Sequence, residues 1–137
     1  MSMRTDDIAS LIRTMQPALN PGCYAFATPV NDRPVDLESV IAFIREPEGT
    51  SVVLSEDLAL EQRLQIHFRA AWITLTVHSD LKAVGLTAAF ATALGRANIS
   101  CNVIAGCYHD HIFVQIELAE LAMRTLLQLQ ESATSKV

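Results

Sequence analysis

The residues with most chemistry to offer are the histidines and the acids beside them. His109-Asp110-His111 sets two imidazoles around a carboxylate, and His78 is a third imidazole that the fold could bring near. Imidazole and carboxylate are ordinary ligands for zinc and similar ions. Two other readings stand beside a metal. Asp110 is what a hairpin turn uses, with the histidines as polar rim groups, or the trio touches an organic ligand directly. A further acidic pair, Glu46 and Glu48, flanks Pro47. It has the composition of an acid–base pair, but a solvated acidic turn explains it as well and more simply. The three cysteines, Cys23, Cys101 and Cys107, lack zinc-ligand spacing and read as reduced packing residues. There is no Gly-x-Ser-x-Gly elbow, no glycine-rich phosphate loop and no Cys–His pair at recognisable spacing. The chain therefore reads as a protein that is not an enzyme and needs no cofactor.

These residues are positioned by a regular series of elements. Thr5 caps a first helix striped with Ile8, Leu11, Ile12 and Met15, which Pro17 and an Asn20-Pro21-Gly22 turn should end. Strands are expected at Cys23 to Thr28, near Val40 to Arg45, and at Ser51 to Leu54, with a loop from Pro29 to Leu37. Ser55 then caps a helix running to about Leu64. The second half reads strand Ala71 to His78, helix Leu81 to Ala97, strands Cys101 to Ala105 and His111 to Ile116, and a last amphipathic helix Glu117 to Glu131.

A strand–helix–strand crossover makes the strands at Ala71 and Cys101 parallel, and the short hairpin puts the His111 strand antiparallel between them. The end of the first strand, the start of the helix and the hairpin loop then meet at one edge, where ligands tend to bind in open α/β sheets. That edge gathers His78, Ser79 and Asp80 with Gly106 through His111. Free N–H groups at the helix start favour an anionic group. Gly85 either lets a ligand approach or lets the helix pack closely. Ile73, Leu75 and Val77 alternate with Trp72, Thr74 and Thr76, as Ile112, Val114 and Ile116 do with His111 and Phe113. The aliphatic set should face helices. The aromatic set needs a cover, from the first half or from a second subunit.

The 137 residues suffice for one domain or two small units sharing a core. Half the residues are hydrophobic, the net charge is −5, and no run of Lys or Arg occurs. Nucleic acid and anionic membrane are poor partners for such a chain. The polar, acidic N-terminus is no secretory signal and no apolar stretch is long enough to span a bilayer. A cytoplasmic location is expected.

The segment from His78 through Ala89 resembles the strand-to-helix passage of an ACT domain, and Ala97 through Val103 resembles the turn into its second strand. With Ala105 through Val114, and with Tyr24-Ala25-Phe26 and Arg45 through Thr50 in the first half, the chain resembles a family of small bacterial proteins built of two ACT-like units. The resemblance implies an α+β fold, a ferredoxin-like ACT-type βαββαβ sandwich whose two ACT-like halves, 1–68 and 69–137, share strands. It implies a regulatory module binding an amino acid or related small carboxylate at Ser79, Asp80, Leu81, Val84, Gly85 and Leu86, with Asn102 on the neighbouring strand. His78, His109, Asp110 and His111 join them by position. A homodimer is expected. The alternatives are a structural protein that only pairs subunits, and a metal-binding protein using the His109-Asp110-His111 hairpin.

Overall fold

The computed structural model describes residues 5–31, 33–76 and 85–135. Helix α1 spans Thr5–Thr14 and leads directly into strand β1, Gln16–Thr28. Strands β2, Ala42–Glu46, and β3, Gly49–Ser55, form a hairpin; helix α2, Glu56–Glu61, follows. Strand β4, Gln65–Thr76, then precedes helix α3, Leu86–Arg96. Strands β5, Asn102–Ala105, and β6, Asp110–Gln115, make a second hairpin, and helix α4, Ala119–Ser135, closes the described chain.

The six strands form one sheet in the order β2-β3-β1-β4-β6-β5. Both β4 and β5 run antiparallel to β6, so they are parallel to each other, as the crossover rule requires. Four neighbours, β1-β4-β6-β5, form one overlapping quartet, and β2-β3-β1-β4 form the other. Each quartet has ferredoxin-like order, and β1 and β4 belong to both. The expected division at residue 68 falls inside β4.

Strand β1 is longer than the sequence suggests. Asn20, Pro21 and Gly22 do not end an element but form an irregularity within it, where the register on β4 shifts between Asn20 and Tyr24. The residues before the shift pair with β4, whereas β3 pairs only at Tyr24 to Ala27. Pro17 therefore sits where β1 has one neighbour, an edge position of the kind at which proline is tolerated. Strand β4 likewise starts at Gln65 rather than Ala71. Its opening residues reach across into the first unit.

Two layers follow from the alternation. On one face Ile73, Leu75, Ile112 and Val114 are fully buried against Ile12 of α1 and Met15 just after it, Phe90 and Leu94 of α3, and Ala122 and Leu126 of α4. Full burial of such side chains contributes about 1.5–3 kcal/mol each. Ser55 caps α2, its Oγ accepting from the Leu58 N–H at 3.3 Å, and Ala59 of this helix covers Ala25, Ala27, Val52 and Leu54.

On the opposite face the sheet curls on itself. Val53, Ala70 and Phe113 are buried there, with Phe26, Ala42, Phe68, Trp72 and Ile104 packed around them. All six strands contribute. The cover over Trp72 and Phe113 is thus the first half of the same chain, and Phe113 is 0% exposed.

The helix expected from Leu81 cannot run unbroken to Ala97. Gly85 has φ +105° and stands as the N-cap of a helix whose first residue is Leu86. Leu81 to Val84 lie outside the described residues.

Candidate functional site

The hairpin between β5 and β6 lies beside the carboxyl end of β4. Leu75 pairs with Asp110 and Thr74 with His111. The Gly106 N–H donates to the His109 carbonyl at 2.9 Å, closing the loop. A Cβ on Gly106 would come within 3.0 Å of that carbonyl and 3.3 Å of His111 Nε2, so a larger residue there would require the loop to give by a few tenths of an ångström.

The three hairpin residues sit in different settings. His109 is partly buried, and its Nδ1 is shielded from solvent with no partner among the described residues. Burial pushes the Asp110 carboxyl above its ordinary pKa, an effect that the neighbouring His111 opposes. Burial holds His111 below the ordinary histidine value, His109 adds to this, and Asp110 counteracts both. Geometry explains why a neutral His111 is favoured: Trp72 Nε1 donates to its Nδ1 at 3.0 Å. Protonation there would break that bond.

From His111 a polar network runs into the curled face. Thr74 Oγ1 lies 3.4 Å from His111 Nδ1, and Asn20 Nδ2 donates to Thr74 Oγ1 at 3.0 Å and to the Trp72 carbonyl at 3.2 Å. Trp72 stacks on Phe113 with centroids 6.1 Å apart and meets the edge of Tyr24 at 5.2 Å. Tyr24 and Asn20 enter this cluster through the irregularity in β1, which sequence reasoning treats as a turn. The alternation of Trp72 and Thr74 against His111 and Phe113 is the part of the signal that was present.

The remaining expected site residues do not all converge here. His78, Ser79, Asp80, Leu81 and Val84 lie outside the described residues. Leu86 is buried in the helical core. A Cβ on Gly85 would meet Ile8 Cδ1 at 2.5 Å, so the close neighbour at Gly85 is α1. Asn102 pairs with Phe113 at the far end of β5 from the hairpin. His109, Asp110 and His111 thus share the hairpin as neighbours in sequence, with Asp110 and His111 at successive positions of β6, and Asn102 lies elsewhere.

No group of three or more His, Cys, Asp or Glu among the described residues has the arrangement to hold a metal ion. Glu46 and Glu48 lie on the β2–β3 turn, where Glu46 accepts from Ser51 Oγ and shares a cleft of about 500 Å³ with Arg33. Cys23 donates to Glu56 Oε2 at 3.6 Å, Glu56 is paired with Arg69, and burial raises the thiol pKa. Burial raises Cys101 as well. Neither thiol is set up as a nucleophile. No described helix is long and apolar enough to cross a membrane.

A second feature opens on the curled face. A cleft of about 550 Å³ lies between the two edge strands, lined by Ala42 to Ile44 of β2 and by Cys101 to Ile104.

Comparison with known proteins follows the fold. Two ACT-domain family models match the chain, one over residues 5–71 and the other over 68–128. The chain is similar to the crystal structure of a protein of unknown function from Vibrio cholerae, described as a possible transport protein. The two share 47% identity with a TM-score of 0.79, over 91% of this chain and 97% of that one. A protein from Agobacterium tumefaciens shares the fold at 15% identity and a TM-score of 0.66, over 85% and 89% of the chains. The regulatory subunit of aspartate kinase from Thermus thermophilus does so at 13% identity and a TM-score of 0.62, over 82% and 95%. Among curated proteins none matches the chain. Matched in both halves and built on two ferredoxin-like quartets, the chain belongs to the ACT-domain family, whose members are small-molecule-binding regulatory modules.

Proposed function

We propose that this chain is a regulatory module for an amino acid or related small carboxylate, and that the ligand binds at the β5–β6 hairpin beside the end of β4. The observation that carries this reading is the shielded His109 Nδ1, without a partner among the described residues, next to the half-buried Asp110. Buried polar atoms are almost always hydrogen-bonded, and an exception needs an explanation such as a ligand. Asp110 offers a carboxylate to an ammonium group, and His109 offers a ring nitrogen to the ligand's acid. An ammonium beside Asp110 would favour its ionised form, reversing the effect of burial.

By chain connection, His78 to Val84 join the end of β4 to Gly85, and their side chains would set selectivity. The protein acts without catalysis of its own, as two units, 1–68 and 69–137, in the cytoplasm, and pairs with a second copy or another chain to pass on its signal. Aromatic exposure no longer argues for the dimer, since Phe113 is covered within the chain; the family's habit of oligomerising does.

Thermal-shift screening against the common amino acids tests the reading. A true ligand at a hundred times its dissociation constant adds about 2.7 kcal/mol of stability. Asp110→Asn and His109→Ala should stay folded and lose that gain. Retention of the full shift in both would place the site elsewhere.

A further inference from the structure

Beyond the hairpin site, we propose that the cleft between β2 and β5 is a second binding site, for an uncharged small molecule with an apolar body and a single hydrogen-bonding group. Its size, about 550 Å³, falls within the range of small-molecule sites. None of the described residues that line it is Asp, Glu, Lys or Arg, and its one histidine, His67, is engaged by Thr28 at 2.8 Å. An ion, or an amino acid carrying both charges, would lose its hydration there without a charged partner.

The walls fit the other half of the description. Phe26 and Val53 form an apolar floor, and Ala42, Ile44 and Ile104 stand at the sides. Thr28 and His67 in the lining are bonded to each other and Ser51 to Glu46, whereas Asn102 Nδ2 donates to the Phe113 carbonyl at 3.4 Å. That bond orients the amide and leaves its Oδ1 as the acceptor for a ligand N–H or O–H.

The backbone contributes as well. Successive residues of a strand point to opposite faces. Yet Ala42, Phe43 and Ile44 in sequence border this cleft, as do Asn102, Val103 and Ile104. Phe26 to Thr28 and Ser51 to Val53 of the inner strands border it in sequence as well, so the cleft reaches backbone on four strands, two of which, β2 and β5, are the outer strands of the sheet. Ile44, 59% exposed, stands at its mouth.

Fluorescence titration with N-phenyl-1-naphthylamine, a neutral dye with one N–H, tests the proposal on the intact chain. The proposal expects saturable binding of one dye per chain. Ala42→Phe, which fills the cleft, and Ile44→Glu, which puts a charge at its mouth, should each weaken binding by about tenfold. Because Ile44 is exposed, the second variant keeps the test valid if the first fails to fold. Asp110→Asn should bind the dye as the parent does. Unchanged affinity in Ile44→Glu, or no saturable binding, would overturn the proposal. So would sedimentation as a dimer that Ile44→Glu converts to monomer, because a second copy would then occupy the cleft.

Discussion

The two faces of the sheet are covered in different ways. On one side, α1, α3 and α4 press their apolar stripes onto Ile73, Leu75, Ile112 and Val114, and the layer closes completely. On the other, no long helix is available, and the sheet covers its own aromatic residues by curling. Helices can adjust along their axes to fill a gap. A curled sheet with two free edges cannot close fully, so the space it leaves lies between those edges. Tight packing marks the face that holds the fold together; imperfect closure marks the face with room for something else.

Substitutions should sharpen this contrast. Phe90→Ala, in the helical core and 0% exposed, should cost about 3–5 kcal/mol in urea unfolding. Phe26→Ala should cost clearly less, because its ring borders the cleft. Equal losses would mean that the curled face is packed as densely as the helical one.

Gly85→Ala should cost about 1–3 kcal/mol, through its φ of +105° and the contact with Ile8. Adding Ile8→Ala should relieve the contact and leave the backbone strain. Measured against Ile8→Ala alone, a glycine change that costs as much as in the parent would mean that the contact is not the cause. Ser55→Ala removes the cap of the short helix over the first unit and should cost about 1 kcal/mol.

The smallest effect is a pH dependence. Since burial lowers the His111 pKa, the unfolded chain takes up the proton more readily than the folded one. Stability should rise with pH up to about 6.5 and be lost as pH falls through the folded value of His111. Asp110, with a raised pKa, works the other way at lower pH: its contribution is present under acid conditions and lost as the carboxyl ionises. His111→Gln should flatten the upper part of the profile in thermal melts. An unchanged slope there would assign it to another group.

Much of the helical face was legible because its apolar residues keep strict periods. Ile73 and Leu75 alternate, and Ile8, Leu11, Ile12 and Met15 recur at helical spacing. The curled face was harder to read where its strands are irregular. Ile66 and Phe68 should share a face by simple alternation, yet they belong to different clusters. A register shift opposite Phe26 and Ala27 lets β4 place them on opposite sides. Pro21-Gly22 hid the length of β1 in the same way, and with it the position of Asn20 beside Thr74. Parallel β4 and β5, and the hairpin at the end of β4, followed from connection lengths alone. Of the two readings of Gly85, a ligand's approach or close packing of its helix, neither named α1 as the neighbour, because nothing in the local sequence says that Ile8 will lie against it.

The most direct test of the account is amide chemical-shift mapping of the labelled protein during titration with the amino acid that raises its melting temperature most. The account predicts saturable shifts centred on Gly106 to His111 and at Trp72, with Ala42, Ile44 and Ile104 unmoved. Shifts confined to the cleft residues, or no saturable shift with any common amino acid, would contradict it.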